Sequence, residues 1–188
     1  MRKLAVFNNI TLDGYFTGKN GDYSWAHSGQ PDQEFNEFVA GNAQGGGALL
    51  LGRKTYEIMA GFWPTPEAKK SQPEVAQGMN SMPKVVFSRT LDHVDWENSK
   101  LMKGDLAAEV RKLKHESGPD MVILGSGSIV AQLAPEGLID EYQMVVIPVV
   151  IGAGRTMFDG MQKKLELKLT DTRAFKSGKV FTIYEPVG

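Results

Sequence analysis

Two short runs without a polar residue, Ala48-Leu49-Leu50-Leu51 and Met121-Val122-Ile123-Leu124, each stop at a glycine and lead into a segment with helical spacing. A half-exposed strand alternates apolar and polar side chains, so a run that is apolar throughout reads as a strand covered on both faces. Parallel strands meet that demand when helices cross over them, because each crossover lays a helix on the sheet. These two runs therefore commit the chain to an α/β layout.

The remaining segments fit that frame. Lys3 to Ile10 reads as a first strand, ending in the polar pair Asn8 and Asn9, and a glycine-rich loop follows from Asp13 to Gly21. Asp32 is a candidate N-cap ahead of Phe35, Phe38 and Val39, whose spacing is helical, and Gly45-Gly46-Gly47 ends that helix. A second helix carries Tyr56, Ile58 and Met59. From Phe62 to Met82 the prolines Pro64, Pro66 and Pro73 predict mostly surface loop with one short helix. Lys84 to Phe87 is a strand, Asp105 to His115 an amphipathic helix, and Ile129, Val130 and Leu133 lie on a helix after Gly125. Ile139 to Ile151 is expected to form one long strand. Leu165, Leu167 and Leu169 alternate with charged residues, Ser177-Gly178 makes a turn, and Val180 to Tyr184 returns as a hairpin. The expected fold is one domain over residues 1–188: a three-layer α/β unit with a mixed, mostly parallel central sheet, an antiparallel C-terminal hairpin and helices on both faces.

Composition narrows the function. The 21 Lys and Arg against 22 Asp and Glu leave a formal net charge of -1, too little positive charge to steer the chain onto nucleic acid or an anionic membrane. With no cysteine there is no disulfide, no thiolate nucleophile and no cysteine zinc site. His27, His93 and His115 are scattered without ligand spacing, so no metal is expected. The longest apolar stretch, Met144 to Ile151, contains Pro148 and falls well short of the roughly 20 residues of a membrane span. The Leu4 to Phe7 run is too brief for a signal peptide. These features predict a cytoplasmic protein.

The chemistry should sit at two strand-to-helix junctions, Gly52-Arg53-Lys54-Thr55 and Gly125-Ser126-Gly127-Ser128. A helix start exposes unpaired N–H groups and a partial positive charge, and glycine lets an anion approach that backbone. A tight turn would call for the same glycines. Two such turns at strand ends suit a cofactor with several phosphates, and Arg53, Lys54 and Arg89 supply cations. An arginine on a ribose 2′-phosphate, contributing roughly 1.5–3 kcal/mol, would favour NADPH over NADH by about ten- to a thousandfold. The Rossmann fingerprint does not fit, because Val130 stands at its third glycine position and no strand-end acid follows at the required distance. Tyr15, Trp25, Phe62 and Trp63 are candidate walls for a flat substrate ring, Asn8 or Asn9 a candidate hydrogen-bonding partner, Asp13 the candidate catalytic acid and Glu57 the second choice.

Several segments, in this order, resemble the dihydrofolate reductase-like superfamily, and in particular the reductase domain at the C-terminal end of bifunctional riboflavin biosynthesis proteins. They are Thr11-Leu12-Asp13-Gly14-Tyr15, Gly52-Arg53-Lys54-Thr55-Tyr56-Glu57, Val86-Phe87-Ser88-Arg89, Leu124-Gly125-Ser126-Gly127 and Ile147-Pro148 through Gly152-Ala153-Gly154. The resemblance implies an NADPH groove along the carboxyl edge of the sheet. Gly52, Arg53 and Thr55 would hold phosphates, Ser88 and Arg89 the adenosine ribose and its 2′-phosphate, and Gly125, Ser126 and Gly127 the pyrophosphate. Lys54, inside the second of these segments, and Ser128, just after the Gly125 turn, are further cofactor-binding candidates. Val149, Ile151 and Gly152 would lie near the nicotinamide, with Asp13 facing the substrate. It also implies a homodimer that reduces a small heterocyclic or carbonyl substrate, of the 5-amino-6-(5-phosphoribosylamino)uracil reductase type. Dihydrofolate reduction and cofactor binding without turnover are the alternatives. The sequence departs from the pattern at Thr11, where serine is usual, and lacks the zinc deaminase motif that usually accompanies the domain.

Overall fold

The computed structural model describes residues 1–187. Its elements, in chain order, are β1 (Leu4–Thr11), β2 (Thr17–Gly18), α1 (Gln33–Gln44), β3 (Ala48–Gly52), α2 (Arg53–Phe62), α3 (Pro66–Ser71), α4 (Pro73–Ser81), β4 (Lys84–Phe87), β5 (Ser99–Met102), α5 (Leu106–His115), β6 (Met121–Leu124), α6 (Gly127–Leu133), β7 (Glu141–Ile147), β8 (Gly154–Arg155), β9 (Leu167–Ala174) and β10 (Val180–Pro186). Eight strands form one sheet in the order β5-β4-β3-β6-β1-β7-β10-β9, and β2 pairs with β8 apart from it. All pairings from β5 to β7 are parallel, and β10 runs antiparallel to both β7 and β9. The mixed α/β sheet with its antiparallel closing hairpin is as the sequence predicts.

Alternation along the strands divides the core. Leu4 and Val6 of β1, Leu50 of β3, Met121 and Ile123 of β6 and Tyr142 of β7 face one side, where α5 and α6 cover them in a single apolar cluster. The opposite face carries two clusters. One packs Leu49, Leu51 and Val86 under Tyr56 of α2 and Met79 of α4. The other packs Val145, Ile147 and Phe181 against Phe35 and Phe38 of α1. Between them, over β6 and β1, the helices cover the sheet only in part, and Val122, Leu124 and Phe7 remain half-buried. That gap positions the site.

Local chemistry fixes the helices on this face. Asp32 caps α1, accepting the Phe35 N–H at 3.1 Å, while its other oxygen accepts the Ser177 N–H at 2.8 Å and ties the closing hairpin to the helix. α1 and α4 approach so closely that a Cβ on Gly78 would lie 2.2 Å from the Ala43 carbonyl oxygen, so only glycine fits.

Three expectations need correction. The 62–82 segment is mainly helical: Pro66 and Pro73 are the first residues of α3 and α4, where proline has no intrahelical partner to lose. β5 has no counterpart in the sequence reading. The strand expected to reach Ile151 stops at Ile147, because Pro148 has no N–H to continue the ladder and the Val149 N–H turns back to the Ile147 carbonyl at 2.8 Å.

Candidate functional site

A groove of about 2370 Å3 runs from the carboxyl edge of the sheet across its open face to the amino ends of β1 and β6. Single-ligand pockets occupy roughly 300–1,000 Å3, so this space suits two ligands side by side. It opens where β1 and β6, although neighbours, send their connections to opposite faces, the switch point at which α/β sheets bind ligands.

One part is built from the turns after three adjacent strands. Ser88 and Arg89 follow β4, Gly52 through Thr55 follow β3, and Gly125 through Ser128 follow β6; all ten of the residues predicted there line the groove. The turns after β3 and β6 are joined. The Gly52 N–H donates to Ser126 Oγ at 2.9 Å, and the Ser126 hydroxyl and N–H donate to Thr55 Oγ1 at 3.0 and 3.1 Å. Those bonds hold Ser126 at φ 51°, a left-handed conformation costing a non-glycine residue roughly 1–2 kcal/mol. Gly125, also left-handed at φ 56°, leaves only 3.0 Å between a hypothetical Cβ and Thr55 Oγ1. Ser88 Oγ accepts the N–H groups of Thr90 and Leu91 at 3.2 and 3.1 Å and so shapes the turn that presents Arg89.

Arg53 pairs with Glu57 across one turn of α2, at 3.1 Å. Lys54 and Arg89, with Lys19 and Arg155 on the facing loops, also line the groove; none of the four makes an ion pair among the described residues. Cations around two helix N-termini fit a polyphosphate ligand.

The second part has a largely apolar floor and walls. Ala5, Phe7 and Asn9 of β1, Val122 and Leu124 of β6 and Gln143 of β7 form the floor, with Val39 of α1, Met59 and Phe62 of α2, Trp63 and Met79 of α4 above it. Tyr23 closes one end, its hydroxyl accepting the Asn9 side-chain N–H at 2.7 Å. Although Tyr23 is 42% exposed as a residue, the protein around its hydroxyl end raises the pKa to about 12, so it stays protonated. Trp63 and Glu57 are both in the lining, and Glu57 is engaged by Arg53.

Asn8 lines the groove but is engaged by the protein itself, and the remaining candidates lie elsewhere. Asn8 is buried, and its amide is consumed: Oδ1 accepts the Gly125 N–H at 2.8 Å, and Nδ2 donates to the Gly125 carbonyl at 3.1 Å and to Met157 Sδ at 3.0 Å. It shapes the β6 turn, and both ends of its amide are already engaged there. Asp13 is outside the groove. Its carboxylate accepts the N–H groups of Ile151 and Gly152 at 3.2 and 2.8 Å, and a bond from the Thr11 hydroxyl with these N–H groups holds its pKa below the usual value of 3.8. It is ionised at neutral pH and has no proton to give; it ties the loop after β1 to the loop after β7. Val149 and Ile151 pack on the Phe175–Phe181 cluster, and Gly152 serves Asp13, so none of the three reaches the groove. Tyr15 does not line it; Phe16 does, its ring lying 2.7 Å from where a Gly127 Cβ would be. Trp25 is 5% exposed within the core beside Val145 and Phe181.

The sequence reading missed Phe7, Tyr23, Gln143, Lys19 and Arg155 as lining residues and left Asn9 open. Alternation along β1 carries the signal for Asn9: with Leu4 and Val6 facing the α5–α6 side, Asn8 faces the same way and Asn9 the other.

The fold is dihydrofolate reductase-like. An Enterococcus faecalis dihydrofolate reductase complexed with NADP(H) superposes with a TM-score of 0.64 at 14% identity, over 99% of this chain and 97% of that one. A Thermotoga maritima diaminohydroxyphosphoribosylaminopyrimidine deaminase/5-amino-6-(5-phosphoribosylamino)uracil reductase superposes with a TM-score of 0.71 at 14% identity, over 99% of this chain and 57% of the larger protein. Within that fold the chain belongs to the RibD C-terminal domain family, whose model matches residues 2–181. YyaP of Bacillus subtilis strain 168, an uncharacterized protein, is 31% identical over 183 residues, 97% of this chain and 94% of the relative.

Proposed function

We propose that the protein is an NADPH-dependent reductase of a small heterocyclic carbonyl or imine substrate, of the type found in riboflavin biosynthesis. Membership of the RibD C-terminal domain family supports an oxidoreductase. One observation carries the reading: turns after three adjacent strands, rich in glycine and cations, share a groove with an apolar slot at the switch point of the sheet.

Arg53 and Lys54 at the start of α2, with Ser128 on α6, hold the diphosphate, and Arg89 takes the ribose 2′-phosphate. Bound there, the cofactor supplies a hydride to an electrophilic carbon. The chain supplies position and a dry surface. Phe7, Val122 and Leu124 form a flat floor, Trp63 and Phe62 a wall, and the ring of a substrate lies between them with little water around the reacting carbon.

Thermal unfolding with and without cofactor tests this. At a hundredfold excess over its Kd, NADPH adds about 2.7 kcal/mol, a rise in Tm of roughly 5–10 °C for a domain of this size. NADH at the same concentration should give a smaller shift. No shift with either nucleotide at millimolar concentration overturns the proposal.

A further inference from the structure

The apolar slot contains few polar groups, and two of them are already paired in a way that selects a ligand. Asn9 Nδ2 donates to the Tyr23 hydroxyl at 2.7 Å. The Tyr23 proton and Asn9 Oδ1 are left without a partner among the described residues. If the shared bond ran the other way, with Tyr23 donating to the Asn9 oxygen, a lone pair on Tyr23 and an N–H on Asn9 would remain. In either arrangement the pair presents at least one donor beside an acceptor, the second Asn9 N–H being a further donor. Both groups are neutral.

The location gives the pair its importance. Asn8 and Asn9 are consecutive on β1 and point to opposite faces. Asn8 clamps the Gly125 turn, and Asn9 enters the groove next to it. Phe7, paired in register with Leu124 and Gln143, makes the apolar floor beside it. Gln143 donates its side-chain N–H to Glu141, which leaves its oxygen as a further acceptor. Tyr23, 42% exposed, packs edge-on against Trp25 and His27, with ring centroids at 5.3 and 6.3 Å.

We propose that Tyr23 and Asn9 are the specificity-determining pair of the slot, and that they recognise a lactam edge, a ring carbonyl beside a ring N–H, on a flat heterocycle. A lactam offers one acceptor and one donor side by side, the complement of what the pair presents. A planar ring without an N–H leaves the acceptor unmatched, and a carboxylate would face the Asn9 and Gln143 oxygens. A site built on hydrogen bonds rejects an analogue that cannot make them more strongly than an apolar pocket rejects a change of size. The inference rests on the reductase reading for its chemistry, but its binding test does not need turnover.

The probes are lumazine (pteridine-2,4-dione), which has lactam edges, and 1,3-dimethyllumazine, which has the same carbonyls and no N–H. Fluorescence titrations are run with and without saturating NADP+, with NADP+ binding measured separately. The wild-type protein should bind lumazine at least about tenfold more tightly than the dimethyl compound. In Tyr23→Phe, which keeps the ring packing, and in Asn9→Ala, that ratio should fall toward one while NADP+ affinity stays within about twofold of wild type. A purely structural role would weaken both probes equally and leave the ratio unchanged. A wild-type ratio near one, an unaltered ratio in Tyr23→Phe, or no lumazine binding at millimolar concentration overturns the proposal. Absence of NADP+ binding overturns the reductase reading and leaves the lumazine ratio to decide this one.

Discussion

At the scale of single residues, the question is which side chains are free to meet a ligand and which are already used. Arg53 and Arg89 look equivalent in the sequence, yet Arg53 is paired with Glu57 and Arg89 makes no ion pair among the described residues. A cation already engaged gains less from a phosphate, since the new contact replaces an old one. Arg89→Ala should therefore weaken NADPH by ten- to a hundredfold, the equivalent of about 1.5–3 kcal/mol, and leave NADH within about twofold, as the 2′-phosphate is the only difference between them. Isothermal titration with both nucleotides checks this, and equal losses would show that Arg89 does not read the extra phosphate. Asp13 gives the opposite lesson. Its carboxyl is held below its usual pKa by Thr11, Gly152 and Ile151. A depressed carboxyl stabilises the fold fully above its unfolded value of 3.8 and loses that contribution as pH falls through the lower folded value. Asp13→Asn should thus flatten the acid limb of the stability profile, followed by urea unfolding from roughly pH 5 down to pH 2, with NADPH affinity unchanged. An unaltered acid limb would mean that the carboxylate does not hold the two loops together.

At the scale of elements, the sequence is legible where one local rule decides. Ala48 to Leu51 is a central strand because no other placement hides both faces of an apolar run, whereas Met121 to Leu124 is central but leaves Val122 and Leu124 half-buried in the floor of the groove. Asp32 caps α1 because its carboxylate reaches the Phe35 N–H. Legibility fails where two rules compete. Pro66 and Pro73 read as loop markers, but at the first position of a helix proline is an initiator, and Thr65 caps α3 just ahead of Pro66. β5 has too little pattern of its own: Ser99 to Met102 is assigned by its partner β4, through the register Lys84–Ser99 to Phe87–Met102. The site shows the same division. Glycine-rich turns are visible in the sequence, whereas the slot is assembled from strands and helices far apart in the chain, and only packing brings Tyr23 to Asn9. The crossing of α1 and α4 walls that slot and depends on Gly78. Replacing it with alanine would place a methyl group 2.2 Å from the Ala43 carbonyl oxygen, so the helices must part. Gly78→Ala should cost roughly 1–3 kcal/mol of unfolding free energy despite the better helix propensity of alanine. Urea denaturation measures it, and a neutral or stabilising result would show that the two helices tolerate a wider spacing.

At the scale of the whole molecule, covering one face of the central strands with α5 and α6 and leaving the other partly open in the middle places the burden of rigidity on what borders the opening. The α2–α4 side of the groove is anchored by a buried cation. Lys84, 1% exposed, donates from Nζ to the carbonyls of Asn80, Met82 and Glu97 at 3.0, 2.7 and 3.0 Å and lies 4.3 Å from the Trp96 ring centroid. It thereby ties the C-terminal end of α4 to the turn before β5. Burial lowers its pKa to about 8 from 10.5. Between those values the unfolded chain holds a proton that the folded chain has released, so unfolding free energy rises with pH across the window and its gain is lost on descending toward pH 8. The full change is about 3 kcal/mol, set against the general destabilisation that alkali brings through the tyrosines and other lysines. Lys84→Met keeps much of the apolar stem and removes the titrating group. Its unfolding free energy should lack the Lys84 component, so that the difference between wild type and variant widens from pH 8 to pH 10.5. Because the anchored side carries Met79 and faces Trp63, the same variant should bind NADPH normally but hold a slot ligand more weakly, the mark of a wall that has loosened. A difference between the two proteins that stays flat with pH would mean that Lys84 keeps its proton throughout, its three carbonyls outweighing its burial.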